Sequence, residues 1–158
     1  MMVTVLRVAP DDSDFSALVR QLDEEFFSIY GDAYLAYQPH NATEDLTLAA
    51  VAFADGLPAA CGGIKPLCAS TAELKRIFVA PHFRRLGLAQ RVIVELETAA
   101  IEQGFAHMAL ETGTDMPAAI ALYQKLGYNR TENYGPYAGN SACVCMFKAL
   151  TQETKTGE

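Results

Sequence analysis

Residues 74–94 carry five basic side chains (Lys75, Arg76, Arg84, Arg85 and Arg91) and no acidic one. The second half of this basic stretch leads into a run of helical period, but no Ser, Thr, Asp or Asn lies between Val79 and Val94 to cap that helix. The first N–H groups of the helix therefore need water or a ligand as acceptor. Gly87 and Ala89 leave the backbone open, and arginines at a helix start attract anions. The pattern predicts a phosphate or pyrophosphate site; a solvated, arginine-rich helix start is the alternative.

The rest of the chain has the opposite charge. The 158 residues carry 12 basic and 19 acidic side chains, a net charge of −7, so the residues outside the basic stretch sum to −12. This balance argues against a general nucleic-acid binder, whose affinity comes from neutralising phosphates. The dinucleotide fingerprint GxGxxG and the P-loop GxxxxGK[ST] are both absent, which removes the usual support for NAD-type and ATP-type sites.

The apolar runs, cysteines and histidines of the chain bear on its location and on metal binding. No apolar run approaches the 18 residues of a membrane span, and the first ten residues do not resemble a secretion signal, so we expect a cytoplasmic protein without a membrane partner. The cysteines form no CxxC pair and the histidines are scattered. We therefore expect free thiols and no metal site. The four cysteines are Cys61, Cys68, Cys143 and Cys145.

Hydrophobic periodicity predicts a mixed α/β fold in one domain, residues 1–150, followed by a polar tail, 151–158. Asp55-Gly56 indicates a hairpin turn, and Gly62-Gly63 indicates a weakened strand or a bulge. The predicted strands are 3–9, 46–54, 59–67, 71–79, 106–111, 128–133 and 142–150, and the predicted helices are 15–30, 86–103 and 117–126.

The strand predicted over residues 71–79 is unusually polar, with Glu73, Lys75 and Arg76 where a central strand is normally apolar. Strict alternation would place Glu73, Lys75, Ile77 and Val79 on one face and Leu74, Arg76 and Phe78 on the other. A carboxylate at this position is costly unless it is paired or used.

Two segments resemble one enzyme family. Residues 84–89 (RRLGLA) are similar to the [QR]xxGx[GA] pyrophosphate loop of the GNAT-type N-acetyltransferases, and residues 118–128 (AAIALYQKLGY) resemble the family's A-x-x-x-Y-x-x-x-G-[FY] helix. They occur in the family's order, about 30 residues apart, with the expected helix and strand between them. The resemblance covers roughly residues 46–150.

The resemblance implies a mixed, mostly antiparallel sheet with splayed central strands and helices on both faces. It also implies acetyl-CoA as co-substrate. By analogy, the segment Ile77, Phe78 and Val79 contacts the pantetheine arm through main-chain groups. The pyrophosphate would be held by Arg84, Arg85, Leu86, Gly87, Leu88 and Ala89, and Ala119 and Tyr123 would flank the thioester.

The implied reaction transfers an acetyl group from sulfur to an amine by direct attack in a ternary complex. Tyr123 is the candidate general acid for the departing thiolate; the alternative is that it only packs within its own helix. Glu73 is the candidate base, directly or through water, against a salt bridge to Lys75 or an arginine. A main-chain N–H near Val79 is the candidate oxyanion donor.

The residues that would bind the acceptor each have more than one possible role. Lys75 and Arg76 are candidates for binding an acidic group of the acceptor or of the cofactor, or for a simple ion pair. Glu111 either contacts a ligand or caps the turn that follows it. Loop tyrosines either form the roof of the acceptor pocket or pack: Tyr34, Tyr37, Tyr134 and Tyr137.

Two functions of different classes follow. The first is an N-acetyltransferase acting on a small amine or an exposed amino group, with no nucleic-acid or membrane partner; the resemblance is also compatible with a homodimer. The second is an acyl-CoA-binding sensor or interaction domain without turnover. The acidic remainder of the chain favours a cationic acceptor in solution.

Overall fold

The computed structural model describes residues 1–35, 43 and 45–151. Three helices and seven strands occur in the order that the sequence predicts. The strands are β1 (Val3–Val8), β2 (Leu48–Ala54), β3 (Leu57–Pro66), β4 (Thr71–Val79), β5 (His107–Gly113), β6 (Asn129–Thr131) and β7 (Cys143–Ala149). The helices are α1 (Ser13–Tyr30), α2 (Leu88–Glu102) and α3 (Pro117–Lys125). No helix of the described part is long and apolar enough to cross a membrane.

The strands form a seven-stranded mixed sheet in the hydrogen-bonding order β1-β2-β3-β4-β5-β7-β6. Neighbours pair antiparallel at β1–β2, β2–β3, β5–β7 and β6–β7, whereas β4 and β5 are parallel. The register of β4 and β5 covers three residue pairs, from Thr71↔His107 to Glu73↔Ala109. This confirms the predicted mixed, mostly antiparallel α/β fold.

The chain divides into two compact units. The first contains residues 1–65 and 75–96, and the second contains residues 66–74 and 97–151 of the described part. Strand β4 and helix α2 each begin in one unit and end in the other. The loop residue Tyr37 and all of the predicted tail 151–158 except Thr151 lie outside the described residues.

The first unit is organised by α1 and the β1–β3 meander. Asp12 caps α1 by accepting hydrogen bonds from the N–H groups of Asp14 and Phe15, each at 3.1 Å, and Gly31 ends it at φ +60°. Asp55 and Gly56 both have positive φ, as the predicted hairpin turn requires. The core of the unit is one cluster of buried residues: Phe15, Leu18, Val19, Leu22, Leu46, Ala49, Val51, Cys61, Phe78 and Ala80.

The glycine pair in β3 does not mark the bulge. The register of β2 and β3 is continuous through Gly62 and Gly63, and its shift lies between Ala52 and Phe53 on β2. A Cβ at Gly62 would collide with Ile77 of β4 and crowd α2, so the glycine permits close packing. The bulge interpretation is therefore wrong in its position, because the absence of a side chain serves packing rather than backbone conformation.

The second unit is built on β5, β7 and β6. Its helix α3 begins with Pro117 and is followed by Gly127 at φ +98°, the start and stop that the sequence predicts. Glu97, in the part of α2 that belongs to this unit, accepts a 2.7 Å hydrogen bond from the buried Tyr128 hydroxyl and pairs with Lys148 at 3.0 Å. This network ties the end of α2 to the sheet.

Candidate active site

The predicted anion loop lies between β4 and α2. It follows a 3-10 turn, Pro81–Phe83, and contains two residues with positive φ, Arg85 at +67° and Gly87 at +75°. Within the described part of the chain, the backbone N–H groups of residues 85–90 find no acceptor, and nothing lies within 4 Å of the position a Cβ would take at Gly87. The helix begins at Leu88, two residues later than predicted. An open row of N–H donors at a helix start suits a phosphate or pyrophosphate.

Arg84 and Arg85 have different surroundings within this loop. The Arg84 guanidinium donates to the Val79 carbonyl at 2.9 Å, pairs with Glu25 of α1 at 2.8 Å and lies 5.8 Å from the Phe78 ring centroid. Arg85 is exposed and makes no hydrogen bond or ion pair with the residues described. Arg84 therefore ties the loop to β4 and α1, while the charge of Arg85 is available to a ligand.

Arg76 is buried in the first unit and is engaged there. Its side chain is 4% exposed, and it donates to Asp23 at 2.5 Å and to the Tyr34 hydroxyl at 3.2 Å. Burial lowers the pKa of Arg76, but its hydrogen bonds to Asp23 and Tyr34 outweigh burial, and the net direction is upward. Of the roles considered for Arg76, the structure gives it an ion pair.

Tyr34 belongs to the same cluster. It is buried, and its hydroxyl donates to Asp23 at 2.7 Å while accepting from Arg76. Burial raises the pKa of Tyr34. The Tyr34 hydroxyl thus acts as both donor and acceptor of hydrogen bonds inside the first unit.

Glu73 lies in the second unit with its carboxylate hydrogen-bonded. The residue is 3% exposed, and its Oε2 accepts from the Tyr134 hydroxyl at 2.7 Å. Burial, followed by the charge of Glu73, raises the pKa of Tyr134 well above its usual range, so the tyrosine remains a donor. Sequence reasoning placed Tyr134 in a loop but did not find it as the partner of Glu73.

Tyr123 projects from α3 and is 8% exposed. Its ring meets Tyr128 edge-on at 6.0 Å between centroids. Burial, with the charge of Glu111 as a second cause, raises the pKa of Tyr123 above its ordinary value of 10. The hydroxyl of Tyr123 therefore stays protonated in the folded protein at pH values where a free tyrosine ionises.

Glu111 and Tyr137 complete the group in the second unit. Tyr137 is 2% exposed and meets Tyr134 edge-on at 5.8 Å. Burial raises the pKa of Tyr137, and the charges of Glu73 and Glu111 act in the same direction. Two carboxylates and three tyrosines thus share one electrostatic environment, suited to proton transfer.

The other predicted site residues divide between the units. Lys75, Ile77, Phe78, Val79 and the loop 84–89 lie in the first, and Ala119 lies in the second on α3 with Tyr123. Lys75 is buried, while Ile77, Val79 and Ala119 are partly exposed. Among the described residues, no group of three His, Cys, Asp or Glu is arranged to hold a metal ion.

Comparison with known proteins decides the family. The model of the acetyltransferase (GNAT) family matches residues 15–128, a span containing both resembling segments. The chain belongs to this acetyltransferase family. It is 32% identical over 155 residues to the IAA acetyltransferase of Azospirillum brasilense, covering 94% of this chain and 98% of that one. It is 31% identical over 117 residues to the ribosomal protein bS18-alanine N-acetyltransferase of Escherichia coli K12, covering 72% and 70%.

Solved structures agree with the family fold. A candidate acyl-CoA N-acyltransferase from Klebsiella pneumoniae has a TM-score of 0.77 and 28% identity, covering 95% of this acetyltransferase and 99% of that chain. The PaiA N-acetyltransferase of Thermoplasma acidophilum, solved in complex with coenzyme A, has a TM-score of 0.72 at 18% identity, covering 94% and 99%. The second likeness concerns the fold alone.

Proposed function

We propose that this acetyltransferase uses acetyl-CoA to acetylate a primary amine, on a small molecule or an exposed amino group, by direct attack in a ternary complex. The observation that carries the proposal is the loop at residues 84–89, where N–H groups that find no acceptor among the described residues, those of residues 85–90, lie with the exposed Arg85 and the open side of Gly87. These groups fit a pyrophosphate in charge and in donor geometry. The relative solved with coenzyme A has the same fold.

Acetyl-CoA supplies an activated thioester, and the protein must hold it. Residues 85–89 bind the pyrophosphate through main-chain N–H groups, and Arg85 adds charge. Main-chain groups of residues 77–79 bind the pantetheine arm. Arg84 shapes the loop through its contacts with Val79 and Glu25.

Transfer then needs two proton movements. Glu73 takes a proton from the attacking amine, directly or through water, as the new C–N bond forms. Tyr123 gives its proton to the sulfur as the C–S bond breaks. Support for these roles comes from the buried Glu73 carboxylate, held by Tyr134, and from the position of Tyr123 on α3, in the segment that resembles the family helix.

The acceptor is proposed to be cationic in solution. Glu73 and Glu111 are the acidic residues of the second-unit group, Tyr137 packs beside Tyr134, and the protein carries a net charge of −7. A cationic amine is attracted to such a surface, and it gives its ammonium proton to solvent before the neutral amine attacks.

The test is thiol release from acetyl-CoA with a panel of amines, together with CoA affinity by calorimetry. Tyr123→Phe and Glu73→Gln should each lower kcat about a hundredfold or more, because general acid–base catalysis typically contributes that much. CoA affinity should stay within about threefold, since neither side chain binds the pyrophosphate. Gln124→Ala, an exposed change on the same helix, is the control. Full activity of both variants on a good substrate would contradict the mechanism, and CoA binding without turnover of any amine would favour the sensor alternative.

A further inference from the structure

We propose that Asp23, Tyr34 and Cys61 are positioning residues, which hold Arg76 in a left-handed backbone conformation and thereby set the course of β4 through residues 77–79. The inference rests on the proposed function, because residues 77–79 are the segment assigned there to the acyl-CoA arm. It adds a role for three residues that the mechanism does not use.

The backbone of β4 is strained at Arg76. In the described part of the chain, three non-glycine residues have positive φ: Asp55 in a hairpin turn, Arg85 in the anion loop, and Arg76 at +61° inside a strand. A Cβ makes this conformation unfavourable, and glycine is the residue that adopts it freely. A left-handed residue also breaks the alternation of a strand, so Arg76 redirects the residues that follow it.

Three contacts, all within the first unit, surround this residue. Asp23 and Tyr34 hold the two terminal nitrogens of the guanidinium. The Cys61 thiol of β3 donates to the Arg76 carbonyl at 3.5 Å. Cys61 is fully buried, and burial raises its pKa to about 12, so the thiol stays protonated and remains a donor. Side chain and main chain of one strained residue are thus both fixed.

A purely stabilising role explains the arrangement less well. An ion pair that buries an arginine is weak evidence for stability, since desolvation of the guanidinium offsets much of its attraction to Asp23, which is 38% exposed. The Nε of Arg76 is also buried without a hydrogen-bond partner in the described structure. Strained backbone persists where its surroundings over-determine it and is concentrated at functional sites. Arg76 lies one residue before the segment 77–79. We therefore assign the three contacts to fixing its backbone conformation.

The matched pair Arg76→Gly and Arg76→Ala separates the two roles. Both variants delete the guanidinium and its ion pair, but only glycine adopts positive φ without penalty. CoA affinity, measured by calorimetry, should stay within about threefold of the parent in Arg76→Gly and fall about tenfold in Arg76→Ala, the factor that corresponds to a Cβ in the left-handed region. Thermal unfolding midpoints, measured in parallel, report stability separately.

Asp23→Asn supplies a second route should Arg76→Ala fail to fold. This variant should weaken CoA binding severalfold, and Arg76→Gly introduced into it should restore the affinity of Arg76→Gly alone. Equal losses in the glycine and alanine variants, or unchanged affinity in Arg76→Ala and Asp23→Asn, would overturn the positioning role while leaving the proposed function intact. Absence of CoA binding by the parent protein would overturn both.

Discussion

Four tyrosines of the second unit should make the protein unfold cooperatively in alkali. Burial is the largest cause that raises the pKa of Tyr123, Tyr128, Tyr134 and Tyr137 above the ordinary value of 10. Above pH 10 the folded protein therefore keeps protons that the unfolded chain loses. Because the folded state binds more protons, the free energy of unfolding is unaffected below pH 10 and falls as the pH rises beyond it.

The size of the effect follows from the number of groups. Each tyrosine held protonated lowers the free energy of unfolding by about 1.4 kcal/mol per pH unit, so four together give about 5.5 kcal/mol per unit. A typical domain has about 5–15 kcal/mol of stability, so the protein should unfold between roughly one and three units above pH 10.

Tyrosinate absorbance at 295 nm and far-ultraviolet circular dichroism measure the two events. The chain has seven tyrosines and no tryptophan, so the absorbance is not obscured. Tyr34 also has a raised pKa, so these five tyrosines should ionise together with unfolding. Tyr137→Phe should reduce the contribution of the second-unit tyrosines to the pH dependence by about one quarter. Ionisation of most tyrosines near pH 10 with the dichroism intact would refute the reasoning.

Three further outcomes are expected. Arg85→Ala should weaken CoA binding about tenfold, because it removes one charge-assisted contact, whereas Arg84→Ala should chiefly lower the unfolding midpoint. A larger loss of CoA affinity in Arg84→Ala than in Arg85→Ala, measured by calorimetry, would contradict the assignment. Glu97→Ala leaves a buried tyrosine and a lysine unpaired, so it should lower the free energy of unfolding, measured in urea, by about 3 kcal/mol. The control Glu95→Ala removes an exposed ion pair on the same helix and should lower it by less than about 1 kcal/mol; equal losses would contradict the expectation. Gly62→Ala should cost about 1–3 kcal/mol, because its methyl group would collide with side chains of β4 and α2; unchanged stability would argue against tight packing there.

Local chemistry made much of the fold predictable. The Asp55-Gly56 turn and the Pro117 start of α3 act through their nearest neighbours, and each lies where the sequence predicts. The position of the loop between β4 and α2 was equally predictable, because the missing cap and the run RRLGLA are both local; its binding of an anion stays a prediction.

The surroundings of the polar residues in β4 could not be predicted. Alternation predicts a regular strand, but Arg76 is turned into the left-handed region while held by residues 42 and 53 positions earlier in the chain. Glu73 likewise finds Tyr134 at a separation of 61 residues. Such partners are selected by tertiary packing, which leaves no periodic signal in the sequence.

The interleaving of the two units along the chain has a consequence for synthesis on the ribosome. Neither unit is one continuous stretch, and the first three residues of β4 pair with His107–Ala109, which begin 34 positions after Glu73. At about 5–20 residues per second, that part of β4 waits roughly 2–7 s for its parallel neighbour. During this interval it is an unpaired strand edge, the kind of surface on which nascent chains aggregate. This exposure of β4 ends only after residues 107–109, in the second half of the chain, have been translated.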